Sequence, residues 1–579
     1  MKNYVLLSII LICFLIACSN SSTKQFEHAG GTFKFAIAHE PTTLEARKVN
    51  DVYSASLLNQ VLEGLVCLNP KTLEAEPSLA KDWTISDDGK TITFVLRDDI
   101  YFHSHEKIGD DRKFVPEDVV YSIELACTKK KGEDPSSAYS SIYKDVIEGA
   151  KAFYEGKTDH ISGVSIGENN ELIIQLVERD VNFINKLAST NAFIVLKELV
   201  DEGLESDLIG TGPFVFDKYT ENGDGNTNII LKKNTNYYGR DEAGNQLPYL
   251  DSIVLIVESR SLRQLEMFEN GEIMMLDGLP PSRISSMLEG RIEDFNSNPP
   301  KLLLQRKPLL ATQYYQFNLL KEEFKDARVR QAFNYAINKK EIVQNILNNQ
   351  AHSIGDAGIV PPAAFDGYDS KEVRKAGYTY NPEKAKKLLA EAGYPDGEGF
   401  PSVNLKFNVG SIHSAVADEF AKQIKKTLNI NVNLDGLPFE DKLNDQMNAN
   451  GDIFRTSWFA DYYSPETFLI NAYGATVPED EDEPSTTNHS RYVNPEFDKA
   501  FQRGQSSTDV MEQYKYFSKA DKIMMEDAPF IILWYEETIK IALSKVRNLE
   551  LNEMNYYSFK NIYFKDWTKE EYEASIKNK

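Results

Sequence analysis

Two hydrophobic periodicities alternate along this chain, and neither recurs at a fixed spacing. Trp83-Thr-Ile85 and Ile92-Thr-Phe94-Val-Leu96 alternate apolar and polar residues on either side of Asp87-Asp88-Gly89, which predicts a β-hairpin. Val119, Val120, Ile123, Ala126 and Cys127 then recur at helical spacing, with Pro116 and Glu117 in the first turn. Asn381-Pro382-Glu383 opens a further helix with an apolar stripe of Ala385, Leu388, Leu389 and Ala392, ended by Gly393. Asp326 caps another, whose stripe is Val329, Phe333, Ala336 and Ile337. Strands are predicted over 251–258, 403–409 and 430–434. With no repeat period, solenoids and propellers are excluded. The pattern specifies a mixed α/β protein of several lobes.

The N-terminus does not belong to that pattern. Lys2 precedes a thirteen-residue apolar run, Val5 to Ala17, broken only by Ser8. A spanning helix needs about 20 apolar residues, so residues 1–17 read as an export signal. Leu15-Ile16-Ala17-Cys18 has the form of a lipoprotein box, which makes Cys18 the lipidation site and the mature N-terminus. A plain secretory signal with an incidental cysteine is the alternative. Residues 18–25 are small and polar, as a tether requires. Cys67 and Cys127 sit in apolar patterns and are expected to be buried free thiols rather than a bridge.

The chain has 88 acids against 64 bases, a formal charge of −24. Removing residues 1–17 takes away one positive charge, Lys2, and leaves −25. Nucleic-acid phosphates need neutralising cations, so the balance excludes such a partner. It also excludes broad adhesion to an anionic membrane, leaving the lipid as the only membrane contact. Long-range steering would favour basic ligands.

Catalytic motifs fail on context. Gly163-Val-Ser165-Ile-Gly167 matches the nucleophile elbow, which needs a strand-to-helix turn. Here a turn and a second strand follow, so Val164 and Ile166 are expected to face inward, and a Ser165 hydrolase is a minor alternative. His103 and His105 lack further metal ligands and are expected to be exposed. Position 109 is Gly where a zinc-protease helix needs His. Gly156-Lys157-Thr158 lacks the first phosphate-loop glycine, since position 151 is Lys. Asn222, Asp224 and Asn226 lack the calcium-loop glycine. The five acids Glu479 to Glu483 form a solvated loop. Neither metal nor cofactor is expected.

Several segments stand in order along the chain: Glu63-Gly64-Leu65-Val66, Pro77 to Trp83, Ser86 to His103, Phe114 to Ser122, Gly210-Thr-Gly212-Pro213-Phe214 and Pro248-Tyr-Leu-Asp251. Further along come Asp326 to Ile337, Pro382 to Leu389 and Trp458-Phe-Ala460-Asp461-Tyr462. Together they resemble the extracellular solute-binding proteins of family 5. The resemblance implies a class II periplasmic-binding-protein-like fold, two clamshell lobes plus an extra third lobe, with mixed sheets and flanking helices. It puts lobe I at 26–64, 195–310 and 537–579, lobe II at 65–194 and lobe III at 311–536. Chain crossings near 310 and 537 would form the hinge.

The resemblance further implies a non-enzymatic, monomeric lipoprotein on the outer side of a bacterial membrane, periplasmic or cell-surface. It would capture oligopeptides and pass them to an ABC permease driven by separate ATPase subunits. A sequence-tolerant peptide binder must grip an ammonium, a carboxylate and a backbone. Asp461 falls where peptide-binding members place the ammonium anchor. Arg455 falls where some place a carboxylate partner. Trp458 and Tyr315 would wall the pocket, and Tyr139 would touch the amino end. Each has a structural alternative: a cap for Asp461, an ion pair for Arg455, a core position for the aromatics. The loop from His103 to Phe114 departs from the family pattern; departures at Ser464-Pro465 and at 474–488, near the expected mouth, keep nickel chelates, heme or sugars open as ligands.

Overall fold

The computed structural model describes residues 26–132, 135–221, 225, 227–280, 283–362 and 364–577. The signal, Cys18, the tether and the calcium-like Asn222, Asp224 and Asn226 lie outside them. The predicted hairpin is present: Ala80–Ile85 pairs antiparallel with Thr91–Leu96, with Trp83 opposite Phe94. The strands at 251–258 and 403–409 form as Ser252–Val257 and Val403–Asn408. The third forms two residues later than predicted, as Val432–Leu437.

Helices begin where their caps sit. Asp326 accepts from the Arg328 amide at the head of Ala327–Ala336, and Asn381 accepts from the Lys384 amide at the head of Pro382–Glu391. Each supplies one of the acceptors that first-turn amides lack.

Eleven strands form one sheet. Its backbone is an antiparallel pair of long strands, Leu302–Phe317 and Phe530–Leu543. Alongside the C-terminal part of Phe530–Leu543, the sheet continues through Met275–Asp277, Thr32–Ile37, Ser252–Val257, Thr227–Lys233 and Phe214–Glu221. On the other side lie Ile453–Phe459, Val403–Asn408 and Val432–Leu437. The register of the long pair breaks between Pro308 and Thr312, opposite Glu537 and Tyr535. Pro308 has no N–H to offer a ladder there. This irregular stretch separates two apolar cores, one around Phe33, Leu57 and Leu255, the other around Phe317, Phe333 and Phe420.

A separate four-stranded sheet carries the hairpin, Glu171–Gln175 and, at its edge, Val164–Ile166. Ser165 is therefore on an edge strand of a hairpin, not on a strand-to-helix elbow. Val164 is buried as expected, but Ile166, two residues on, is exposed.

Two histidines depart from expectation. His103 is buried rather than exposed, with Nε2 2.9 Å from the Gly212 carbonyl and Nδ1 accepting from the Gly210 amide. Burial pushes its imidazole down to about 4, so it stays neutral and ties this sheet to the Gly210-Thr-Gly212 segment. His105 Nε2 reaches Asp207 at 3.0 Å. Both glycines are required there, since a Cβ on either would collide with the Val61 carbonyl. Cys127 is a buried free thiol, whereas Cys67 is a free thiol only partly buried.

Candidate functional site

The strand Ile453–Phe459 delivers the sequence-predicted residues in two directions, because alternate side chains leave opposite faces. Arg455 stands opposite Tyr315 and two residues from Ser457, which pairs with Gln313. These residues share one face. The Arg455 guanidinium donates to Gln313 Oε1 at 2.6 Å and to Asn408 Oδ1 at 3.2 Å. Both partners are neutral amides. Arg455 is buried, and among the described residues no carboxylate lies within ion-pair distance of it. Burial pulls its pKa down, opposed by nearby Tyr315 and Glu536. A buried cation without an anion is costly unless a ligand supplies one.

Trp458 leaves the opposite face, and its indole N–H donates to Thr467 Oγ1 at 3.3 Å. Thr467 lies on the short helix Glu466–Leu469. Its hydroxyl also receives the Asp461 amide at 3.2 Å and donates to Asp461 Oδ2 at 3.4 Å. One threonine thus positions both Trp458 and Asp461. The preceding Ala460 amide bonds to the Leu310 carbonyl, so Asp461 is held beside the irregular stretch of the long strands.

Asp461 is exposed, and its carboxyl meets the Thr467 hydroxyl. Desolvation pushes its carboxyl up to about 7, with only the Thr467 hydroxyl opposing. No ion pair to Asp461 exists among the described residues. An accessible, partly desolvated carboxyl with no cation suits a cationic ligand group.

The wall beside Asp461 is fixed by a buried charge network. The Lys186 ammonium lies 2.7 Å from Asp180 and 2.5 Å from Glu466. Asn182 donates to Glu466 Oε2 at 2.6 Å and to Ser464 Oγ at 3.1 Å. These contacts clamp residues 180–187 onto the segment that follows Asp461.

Tyr315 and Tyr139 are placed differently from expectation. Tyr315 is 1% exposed, its ring packed edge-on against Phe420 at 4.9 Å. It shares a face with Arg455 but is covered by the helix Ser411–Leu428. Tyr139 is buried, stacked on Tyr154 at 4.1 Å. Both fill cores. Trp458 is partly buried against the core as well as bonded to Thr467.

Sequence reasoning misses the rest of the Arg455 surroundings. Tyr53 and His39 approach from the N-terminal half, where both rings meet Phe439, at 6.5 and 5.9 Å. The Arg455 charge is felt at Tyr53, His39 and His413. Glu536 accepts from the Trp534 indole at 3.1 Å, and burial raises its pKa. These residues come from five distant segments. The one local signal is Glu536 itself, an acid directly after the apolar run Phe530 to Tyr535 and within the same strand.

This arrangement has relatives. The family model for bacterial extracellular solute-binding proteins, family 5 Middle, matches residues 74–479. The chain belongs to this family. The dipeptide-binding protein of Escherichia coli (strain K12) is 24% identical over 562 residues, covering 95% of this chain and 94% of that one. Heme-binding protein A of Haemophilus influenzae is 27% identical over 546 residues, covering 90% and 91%. Among solved structures, the periplasmic binding protein DppA from Helicobacter pylori, in complex with peptide STSA, matches with a TM-score of 0.79. It is 23% identical and covers 93% of this chain and 99% of its own. The fold is the family 5 fold, α/β and periplasmic-binding-protein-like. Family 5 proteins are solute-binding proteins rather than enzymes, and extracellular. No helix among the described residues is long and apolar enough to cross a membrane.

Proposed function

We propose that this chain is a peptide receptor of an ATP-binding-cassette importer, lipid-anchored through Cys18. It captures oligopeptides between its lobes and delivers them to a membrane permease driven by separate ATPase subunits. The observation that carries this reading is the Asp461 carboxyl, which has no ion pair among the described residues, six residues from an Arg455 guanidinium whose hydrogen-bond partners among them are the Gln313 and Asn408 amides. A free peptide supplies one charge for each. An ammonium pairs with Asp461 and a carboxylate with Arg455, both charge-assisted. A neutral sugar would leave both charges uncompensated.

The spacing favours short peptides. A strand rises about 3.3 Å per residue, so six residues span at most about 20 Å, or about six residues of extended ligand. The lobe division proposed is 26–64, 195–310 and 537–579 for lobe I, 65–194 for lobe II and 311–536 for lobe III. The register break near Pro308 and Glu537 is where the hinge would flex. Closure would then be a two-state equilibrium shifted by ligand.

The test is native mass spectrometry of the purified protein, followed by titration with free and N-acetylated versions of one peptide. A ladder of co-purifying peptides and a clear preference for the free amine support the reading. Equal affinity for the two versions removes the ammonium anchor, and co-purified heme or a nickel chelate replaces the ligand class.

A further inference from the structure

A second buried cation lies near Arg455. Lys442 lies on the helix Phe439–Met447 and is 3% exposed. Its ammonium donates to Gln446 Oε1 at 2.8 Å, a neutral acceptor, and Gln446 Nε2 is 2.8 Å from His489 Nδ1. Phe439, one turn earlier on the same face, stacks on His39 and meets Tyr53. That face therefore looks across at the N-terminal half.

The acids of its own helix are not available to Lys442. Asp445 is held by Lys406 at 2.6 Å, and Glu440 and Asp441 are exposed. The charged and titratable groups facing Lys442 from other elements are Arg455, His413 and His489, all basic. Glu536 is near Arg455 and Asp51 near His39, but among the described residues no carboxylate is in ion-pair range of Lys442. Two buried basic side chains thus lie close enough to feel each other's charge, and the terminal carboxylate of a ligand answers only one.

We propose that Lys442 and Arg455 form a two-cation subsite for a ligand with two carboxylates at its carboxyl end, so that peptides ending in Asp or Glu are preferred. This rests on the peptide reading above. Arg455 takes the α-carboxylate and Lys442 the side-chain carboxylate of the last residue. Burial and the Arg455 charge hold the free Lys442 ammonium down to about 7. Pairing raises it again, so binding at neutral pH takes up a proton. The surplus negative charge of the chain steers ligands at long range, but the local field at this end has the opposite sign.

The experiment is calorimetric titration of the purified protein with Ala-Ala-Glu, Ala-Ala-Gln and their six-residue counterparts, in buffers of different ionisation enthalpy. The expected result is at least about tenfold tighter binding of the Glu peptides, with more proton uptake than for Gln. In Lys442→Gln the Glu-to-Gln ratio falls toward one. Gln peptides binding as tightly as Glu peptides overturns the subsite and leaves the peptide reading standing. No binding by any of the four overturns both. A ratio that persists in Lys442→Gln overturns the role of Lys442. Should that variant fail to fold, the wild-type ratio and proton uptake decide.

Discussion

The Lys186 ammonium lies 2.5 Å from Glu466 Oε1, and neither side chain is more than 1% exposed. Their residues are 280 apart in sequence, so this pair fastens the small four-stranded body to the segment after Asp461. Asp180 shares the same ammonium. Removing one partner of a buried pair leaves an uncompensated charge, at about 3–5 kcal/mol. Lys186→Met is expected to lower stability by about that much in denaturant unfolding. The penalty should shrink at acid pH, where Asp180, whose carboxyl is pushed up by burial, takes up a proton. A loss below about 0.5 kcal/mol would remove the network as a fastening.

Asp461→Asn keeps the shape of the anchor and removes its charge. Truncating one partner of a desolvated charge pair costs about 2–5 kcal/mol. Affinity for a free peptide should fall by about 30-fold or more, while an N-acetylated peptide should change little. Parallel titrations of both peptides check this.

Thr467→Val removes the hydroxyl that holds both Asp461 and Trp458. A lost hydrogen bond to a charged group is worth about 1.5–3 kcal/mol at most, and at 3.4 Å this one is long. About a five- to tenfold weakening of free-peptide binding is expected, with the melting temperature little changed. An unaltered dissociation constant would mean that Asp461 is positioned by its backbone alone.

Local signals are legible in this sequence because their physics is local. The register of Trp83 against Phe94 follows from alternation and a turn, and the caps Asp326 and Asn381 from side chains a few residues from their amides. Asp461 and Arg455 are legible only through family pattern, and the structure adds what neighbours them. Tyr315 pairs with Arg455 across two strands, yet Phe420, 105 residues on, covers it. His103 is buried because its acceptor is the Gly212 carbonyl, 109 residues away. Gln313 and Asn408 reach Arg455 across 142 and 47 residues. No spacing rule links such partners; only the sheet order brings them together.

The raised Asp461 carboxyl sets the pH dependence of binding. In the free protein it sits at about 7, and an ammonium ligand needs its charged form. Below pH 7 the ionised fraction falls, so the dissociation constant rises, by up to about tenfold per pH unit, until the pKa of the complex is reached. The peptide amine itself loses its proton near pH 8, since α-amino groups titrate at about 7.7–8.0. Affinity for a free peptide should therefore peak between about pH 7 and pH 8 and fall on both sides. His39, His413 and Lys442 feel the Arg455 charge and would act on the carboxyl-end contacts, so each profile is compared with that of Asp461→Asn. Loss of the acid limb in that variant assigns it to Asp461; an acid limb that survives there would place the titrating group elsewhere.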